Sequence, residues 1–125
     1  MHETFEWTKP TVMMLGRWQP WHEGHQTLFK KAIEITGQVC IMLRHIDDED
    51  NPWDINQRSS MISMALAKDG FYSGQHYTII AVPNIVNISY GRGVGYTFTE
   101  HDLGEDIHNI SATKIREEMR KEGKL

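Results

Sequence analysis

Three short apolar runs, Thr11 to Leu15, Gln38 to Leu43 and His76 to Val82, each have the length of a buried strand. Between the first two, Leu28, Phe29, Ala32 and Ile33 recur at three- to four-residue spacing within Glu23 to Thr36, and Gly37 offers a stop. That spacing predicts an amphipathic helix. Asn51 to Trp53 reads as a turn and Asp54 as a cap for a second helix over Ile55 to Ala67, with Ile55, Met61, Ile62 and Ala65 on its apolar side. The order strand, helix, strand, helix, strand calls for right-handed crossovers onto a parallel sheet. The expected fold class is α/β: a Rossmann-like open, mainly parallel sheet with helices on both faces.

The pattern changes after Pro83. Ile85 to Tyr90 and Tyr96 to Glu100 are strand-like, but only Gly91 to Gly95 separates them. A parallel crossover needs about a dozen residues or more, so the last strand is expected to return antiparallel, as a hairpin, unless one of the two segments is not a strand. Ser111 opens a polar, basic terminal helix to about Glu122, with Ile115 and Met119 on one face. Residues 1–10 read as a loose N-terminal tail, and residues 11–125 as a single domain.

Composition narrows the functional classes. The chain has 125 residues, 39% hydrophobic and 24% charged, with a formal charge of -4. That field repels a polyanion and no basic run offsets it, so nucleic acid is not an expected partner. The single cysteine, Cys40, sits in an apolar run and reads as a small buried hydrophobe, which excludes a disulfide framework. The N-terminus has neither the basic start nor the hydrophobic stretch of a secretory signal, and no apolar stretch is long enough to span a bilayer. A cytoplasmic protein without membrane contact is expected.

Candidate chemistry concentrates in Gly16-Arg17-Trp18-Gln19-Pro20-Trp21-His22-Glu23-Gly24-His25, where the first strand gives way to the first helix. In open α/β sheets ligands collect beyond the carboxyl ends of the strands, and a helix N-terminus there offers unpaired N–H groups and partial positive charge to phosphate. His22 and His25, three apart, share a face if both fall in the first turn, so two imidazoles can grip one phosphate. Gly16 and Gly24 permit close backbone approach. Zinc is disfavoured because the chain has one cysteine and no third ligand at helical spacing. Gly91-Arg92-Gly93-Val94-Gly95 does not lead into a helix, which rejects a dinucleotide fingerprint.

The segment at 16–25 resembles the G-R-F-Q-P-x-H-x-G-H signature of the nucleotidyltransferase superfamily that carries the HxGH motif. Ile110-Ser111-Ala112-Thr113-Lys114-Ile115-Arg116 is similar to that family's I-S-[ST]-T-x-[IV]-[RK] motif. Asn51-Pro52-Trp53 with Gln57-Arg58 resembles its N-P-[FW]-x-x-x-x-R entry to the second helix. The resemblance implies adenylyl or cytidylyl transfer: an acceptor phosphate attacks the α-phosphorus of ATP or CTP in line and pyrophosphate leaves, with Mg²⁺ neutralising part of the charge. It further implies that His22, His25 and Arg17 serve catalysis, with His25 on the α-phosphate. Gly16, Arg17, Gln19, His22, Gly24, His25, Ser111, Thr113 and Arg116 would bind the nucleotide. By position Arg92 falls in the family's nucleotide-binding loop, a simple turn being the other reading. Arg44, after the second strand, would face the phosphates as a substrate contact, or else pair with Asp47 or Asp48 in an exposed acidic loop. No metal-ligating residues are implied.

Family members are generally longer between strands four and five, where the acceptor pocket forms, so the acceptor is expected only as a phosphorylated small molecule. A homo-oligomer, its interface supplied by some of the four tryptophans and seven methionines, would complete an open pocket. A non-catalytic nucleotide sensor and a partner subunit are the alternative readings.

Overall fold

A computed structural model describes residues 4–93, 95–103 and 112–124. Three parallel strands, β1 (Val12–Gly16), β2 (Val39–Arg44) and β3 (Tyr77–Val82), form a sheet in the order β1-β2-β3. They are joined by α1 (Glu23–Thr36) and α2 (Ile55–Lys68), and a further helix, α3 (Ala112–Lys121), follows. Register pairs Met14 with Ile41 and Ile41 with Ile79. The side chains of that row and its neighbours Val39, Leu43 and Tyr77 meet Phe29, Ala32 and Ile33 of α1 and Ile62 and Leu66 of α2 in one core.

Each helix begins and ends for a local reason. Gly37, at φ 90°, closes α1 in the left-handed region that costs a glycine nothing, and its N–H donates to Ile33 O at 2.7 Å. Asp54 caps α2 by accepting from the Gln57 N–H at 2.8 Å, while Gln57 Oε1 accepts the Asp54 N–H at 2.9 Å. The Gln26 amide of α1 donates to Ala65 O and to Asp69 beside α2, each at 2.8 Å, and Lys30 pairs with Asp69. Helices α1 and α2 therefore lie side by side on one face of the parallel sheet; a second helical layer is not built from them. Helix α3 reaches the carboxyl ends of the strands through Arg116, which donates to Gln19 O.

The fourth and fifth strands expected from alternation are not formed. Pro83 lacks an N–H at the end of β3, and Ile85 N–H turns back onto Pro83 O at 2.7 Å, taking the chain off the ladder. Segments 85–90 and 95–100 take no regular structure and are largely exposed: Val86 is 81% and Tyr96 74% accessible. They approach each other, with the Tyr90 and Phe98 rings 5.8 Å apart, but no strand pairing joins them among the described residues.

The N-terminal segment, expected to be loose, is bonded to the body. Gln38, fully buried, accepts the Glu6 N–H at 3.0 Å and donates to Glu6 O at 2.8 Å and to Thr11 Oγ1 at 2.6 Å. Phe5 N–H adds a bond to Gly74 O. A buried amide must be satisfied, and here the chain ahead of β1 satisfies it. No described helix is long and apolar enough to cross a membrane.

Candidate functional site

The carboxyl ends of β1 and β2 open into a cleft of about 260 Å³ lined by Gly16, Arg17, Trp18, Gln19, His25, Arg44 and Arg116. Three guanidinium groups and an imidazole face this space, and among the described residues none of the lining side chains is a carboxylate. Arg17 is met by an amide oxygen, Asn51 Oδ1 at 3.4 Å. Arg44 is met by Asn84 Oδ1 at 2.9 Å and not by Asp47 or Asp48. Arg116 is 2% exposed, donates to Gln19 O and, at 3.3 Å, to Thr113 Oγ1, and keeps its Nε unpartnered. Burial depresses its pKa, and Arg17 pushes the same way, with Asp50 opposing. Such a concentration of cationic donors, met by neutral oxygens among the described residues, is complementary to an anion of several charges.

The two histidines form the N-terminal cap of α1. His22 is the N-cap: its Nδ1 accepts the Gly24 N–H at 3.0 Å, and His25 Nδ1 reaches back to accept the His22 N–H at 3.1 Å. This is a capping box in which imidazoles replace the usual hydroxyl and carboxylate. Its chemical consequence is a fixed tautomer. A nitrogen that accepts cannot carry the proton, so both neutral rings hold theirs on Nε2, as a donor. The rings stack, with centroids 3.6 Å apart.

Burial lowers the pKa of His22, and burial together with the neighbouring His22 lowers that of His25 to about 3. Both are therefore neutral near pH 7. In the unfolded chain they take up protons near the ordinary value of about 6.5, whereas in the folded chain His25 does so only near 3. Between these values the unfolded state holds more protons, so stability falls as pH falls, by up to about 1.4 kcal/mol per pH unit for each such site. Urea unfolding compared at about pH 7 and about pH 5, above most of the carboxylate range, is expected to show this loss, and His25→Ala to shrink it. Equal pH slopes for the two proteins would contradict the assignment.

Trp18 holds the pair in place. Its backbone is left-handed at φ 52°, a region that costs a bulky residue about 1–3 kcal/mol. The indole N–H donates to Met42 O at 3.1 Å, and the ring meets His25 edge-on at 4.7 Å and Trp21 at 5.2 Å. Gly16 is required beneath it, since a Cβ there would sit 2.8 Å from the indole. Sequence reasoning placed Gly16 against a ligand; in the structure its lack of a side chain also admits Trp18.

Other expected residues divide. Arg17, His25, Arg44 and Arg116 come together. His22 stands behind His25 rather than among the lining residues. The Gly24 N–H is spent on the His22 cap, and so does not stand free for phosphate. Gln19 borders the cleft, but its amide is taken: Oε1 accepts the Trp53 N–H at 3.1 Å and Nε2 donates to Trp53 O at 2.9 Å. It fastens the loop before α2 through one N–H and one lone pair of its amide. Arg92 sits on an exposed turn and lines neither this cleft nor the next. Thr113 lies in the first turn of α3 as expected, and Ser111 lies outside the described residues.

A second cleft, of about 400 Å³, adjoins the first through Arg44 and is otherwise lined by Leu15, Ile85, Val86, Asn87 and Ile88. Among the described residues no group of three or more His, Cys, Asp or Glu side chains is placed to hold a metal ion. The nitrogen donors of the first cleft suit phosphate oxygens rather than a cation.

Sequence reasoning missed the role of Arg58, 1% exposed within the apolar stripe of α2. Arg58, Ile62 and Leu66 recur every four residues, so the sequence did carry a signal that this arginine is buried.

The family model described as cytidylyltransferase-like matches residues 13–102. Among curated proteins, the nicotinamide-nucleotide adenylyltransferase of Methanococcus aeolicus is 29% identical over 77 residues, 59% of this chain and 42% of that protein. The nicotinamide-nucleotide adenylyltransferase of Methanosphaerula palustris is 36% identical over 58 residues, 42% of this chain and 33% of that protein. A crystal structure of a bifunctional NMN adenylyltransferase/ADP ribose pyrophosphatase from Francisella tularensis superposes with a TM-score of 0.51 and 25% identity, covering 61% of this chain and 22% of that one. The matched region is less than half the length of these curated relatives.

Proposed function

Because the chain belongs to the cytidylyltransferase-like family, we propose that it is a nucleotidyltransferase that moves an adenylyl group from ATP to a phosphate-bearing mononucleotide and releases pyrophosphate. The observation that carries this reading is the cleft at the start of α1, where a neutral Nε2–H imidazole stands among three arginines and the described residues contribute no lining carboxylate. Adenylyl rather than cytidylyl transfer, and a nicotinamide mononucleotide type of acceptor, are favoured by the curated relatives named above.

In this reading an acceptor phosphate oxygen attacks the α-phosphorus while the bond from that phosphorus to the αβ-bridging oxygen breaks. The electron pair leaves with pyrophosphate, and no residue is covalently modified. His25 donates from Nε2 to a non-bridging α-phosphate oxygen, where negative charge must be met as the bonds change. It needs no proton from solvent to do so. Arg17 and Arg116 bind the β and γ phosphates, with Thr113 at the first turn of α3 beside them. Arg44, shared by both clefts, binds the triphosphate beside Arg17, on the side that faces an acceptor whose ring occupies the apolar second cleft. Mg²⁺ belongs to the substrate here: it enters on the triphosphate, held by phosphate oxygens and water. Cytoplasmic function accords with a nucleoside triphosphate as donor.

Thermal unfolding with ATP and Mg²⁺, against CTP and Mg²⁺, tests the donor without a known acceptor. A ligand that binds only the folded state at 100 times its Kd adds about 2.7 kcal/mol. ATP is expected to raise the melting temperature by several degrees and CTP by less. The reverse order would make the chain a cytidylyltransferase, and no shift with either at millimolar concentration would overturn the proposal.

A further inference from the structure

Arg58 projects from the second turn of α2 into the gap just beyond the ends of β1 and β2. There the pairing of β1 with β2 has ended at Gly16 and Leu43, and the carbonyls of Arg17 and Arg44 need a donor. One nitrogen supplies it. Arg58 Nη1 donates to Arg17 O at 2.7 Å and to Arg44 O at 2.8 Å, one N–H to each, while Nε reaches Asp54 O at 3.3 Å. The guanidinium is buried and has no salt bridge among the described residues. Burial pulls its pKa down, with Asp54 opposing from a distance. Its Nη2 has no hydrogen-bond partner among the described residues.

A buried cation that meets only carbonyls is a poor way to gain stability, because its desolvation is not returned by an opposite charge. The geometry gives it another use. The two residues whose carbonyls it grips are the two whose side chains enter the cleft from β1 and β2. Two oxygens held within 2.8 Å of one nitrogen fix the backbone separation at positions 17 and 44, and so the distance between the two guanidinium stems. Resting on the triphosphate reading above, we infer that Arg58 is the positioning residue for the cleft: it sets the spacing at which Arg17 and Arg44 engage two phosphates of one chain simultaneously. It touches no substrate. Its effect is on chelation of linked phosphates rather than on attraction of a single one, because only a multidentate ligand reads the distance between two cations.

The test compares Arg58→Met and Arg58→Lys with the native chain by calorimetric titration of inorganic tripolyphosphate and of inorganic phosphate, after urea unfolding has established that each variant is folded. Arg58→Met is expected to lose about tenfold in tripolyphosphate affinity, the scale of one charge-assisted contact, with phosphate affinity changed far less. Arg58→Lys, which keeps the charge and can still donate to both carbonyls, is expected to recover part of that loss. If Arg58→Met does not fold, Arg58→Lys decides alone: an unchanged ratio of the two affinities would overturn the inference. So would a folded Arg58→Met that keeps the native ratio, since a merely structural residue would weaken both ligands alike or neither. Failure of the native chain to bind tripolyphosphate would instead sink the nucleotide reading itself, and the inference with it.

Discussion

Replacing His25 by alanine is expected to lower kcat by about 100- to 1000-fold, the usual cost of one donor aimed at charge that develops in the transition state. The assay is pyrophosphate release from ATP, Mg²⁺ and nicotinamide mononucleotide. KM for ATP should move much less, because Arg17, Arg44 and Arg116 still surround the phosphates. One competing effect must be separated. His25 Nδ1 accepts the His22 N–H, so the alanine variant also loses half of the α1 capping box, at about 1 kcal/mol. Urea unfolding measures that cost independently. A His25→Ala protein that is folded and retains native kcat would refute the role assigned to Nε2.

The second large effect concerns Arg116. It is expected that Arg116→Met weakens ATP binding by about 10- to 100-fold, as for a charge-assisted hydrogen bond of about 1.5–3 kcal/mol, and that the salt dependence of binding becomes shallower. Arg116 also ties α3 to Gln19 O, so a displaced helix is a competing cause of a weaker complex. Arg120 supplies the control. It sits one turn later on the same helix and donates to Glu49 O, yet lines neither cleft. Arg120→Met should loosen the helix without the loss of affinity. Equal losses in the two variants would show that α3 matters only as a wall.

What was legible in the sequence follows from how many features had to agree. For α1, apolar spacing, the His22 region before it and Gly37 after it all point to one span, and the helix occupies Glu23–Thr36. The three strands were legible because a parallel sheet buries its centre, leaving continuous apolar runs. Residues 85–90 and 96–100 show the limit of that signal. Alternation says that side chains occupy two environments, but a strand exists only if a neighbour accepts its hydrogen bonds, and Pro83 with the Ile85 turn removes the neighbour. At the site, Arg17, His25, Arg44 and Arg116 were legible as residues. Gln19 was not, because a linear pattern cannot distinguish an amide aimed at a ligand from one clamped on the Trp53 backbone. The same limit hid Arg58, whose partners are two carbonyls brought together only by the fold.

In the cap of α1 the groups proposed for chemistry are also the groups that start the helix, through opposite nitrogens of the same rings. Selection acting on such a pair cannot separate its two duties. A descendant with no further use for catalysis would still be constrained at His22 and His25, because a change there exposes the first turn of the helix that covers the core. Persistence of these histidines along a lineage would therefore be weak testimony that activity persists; the cleft arginines, which cap nothing in α1, are the positions where loss of function would leave its trace.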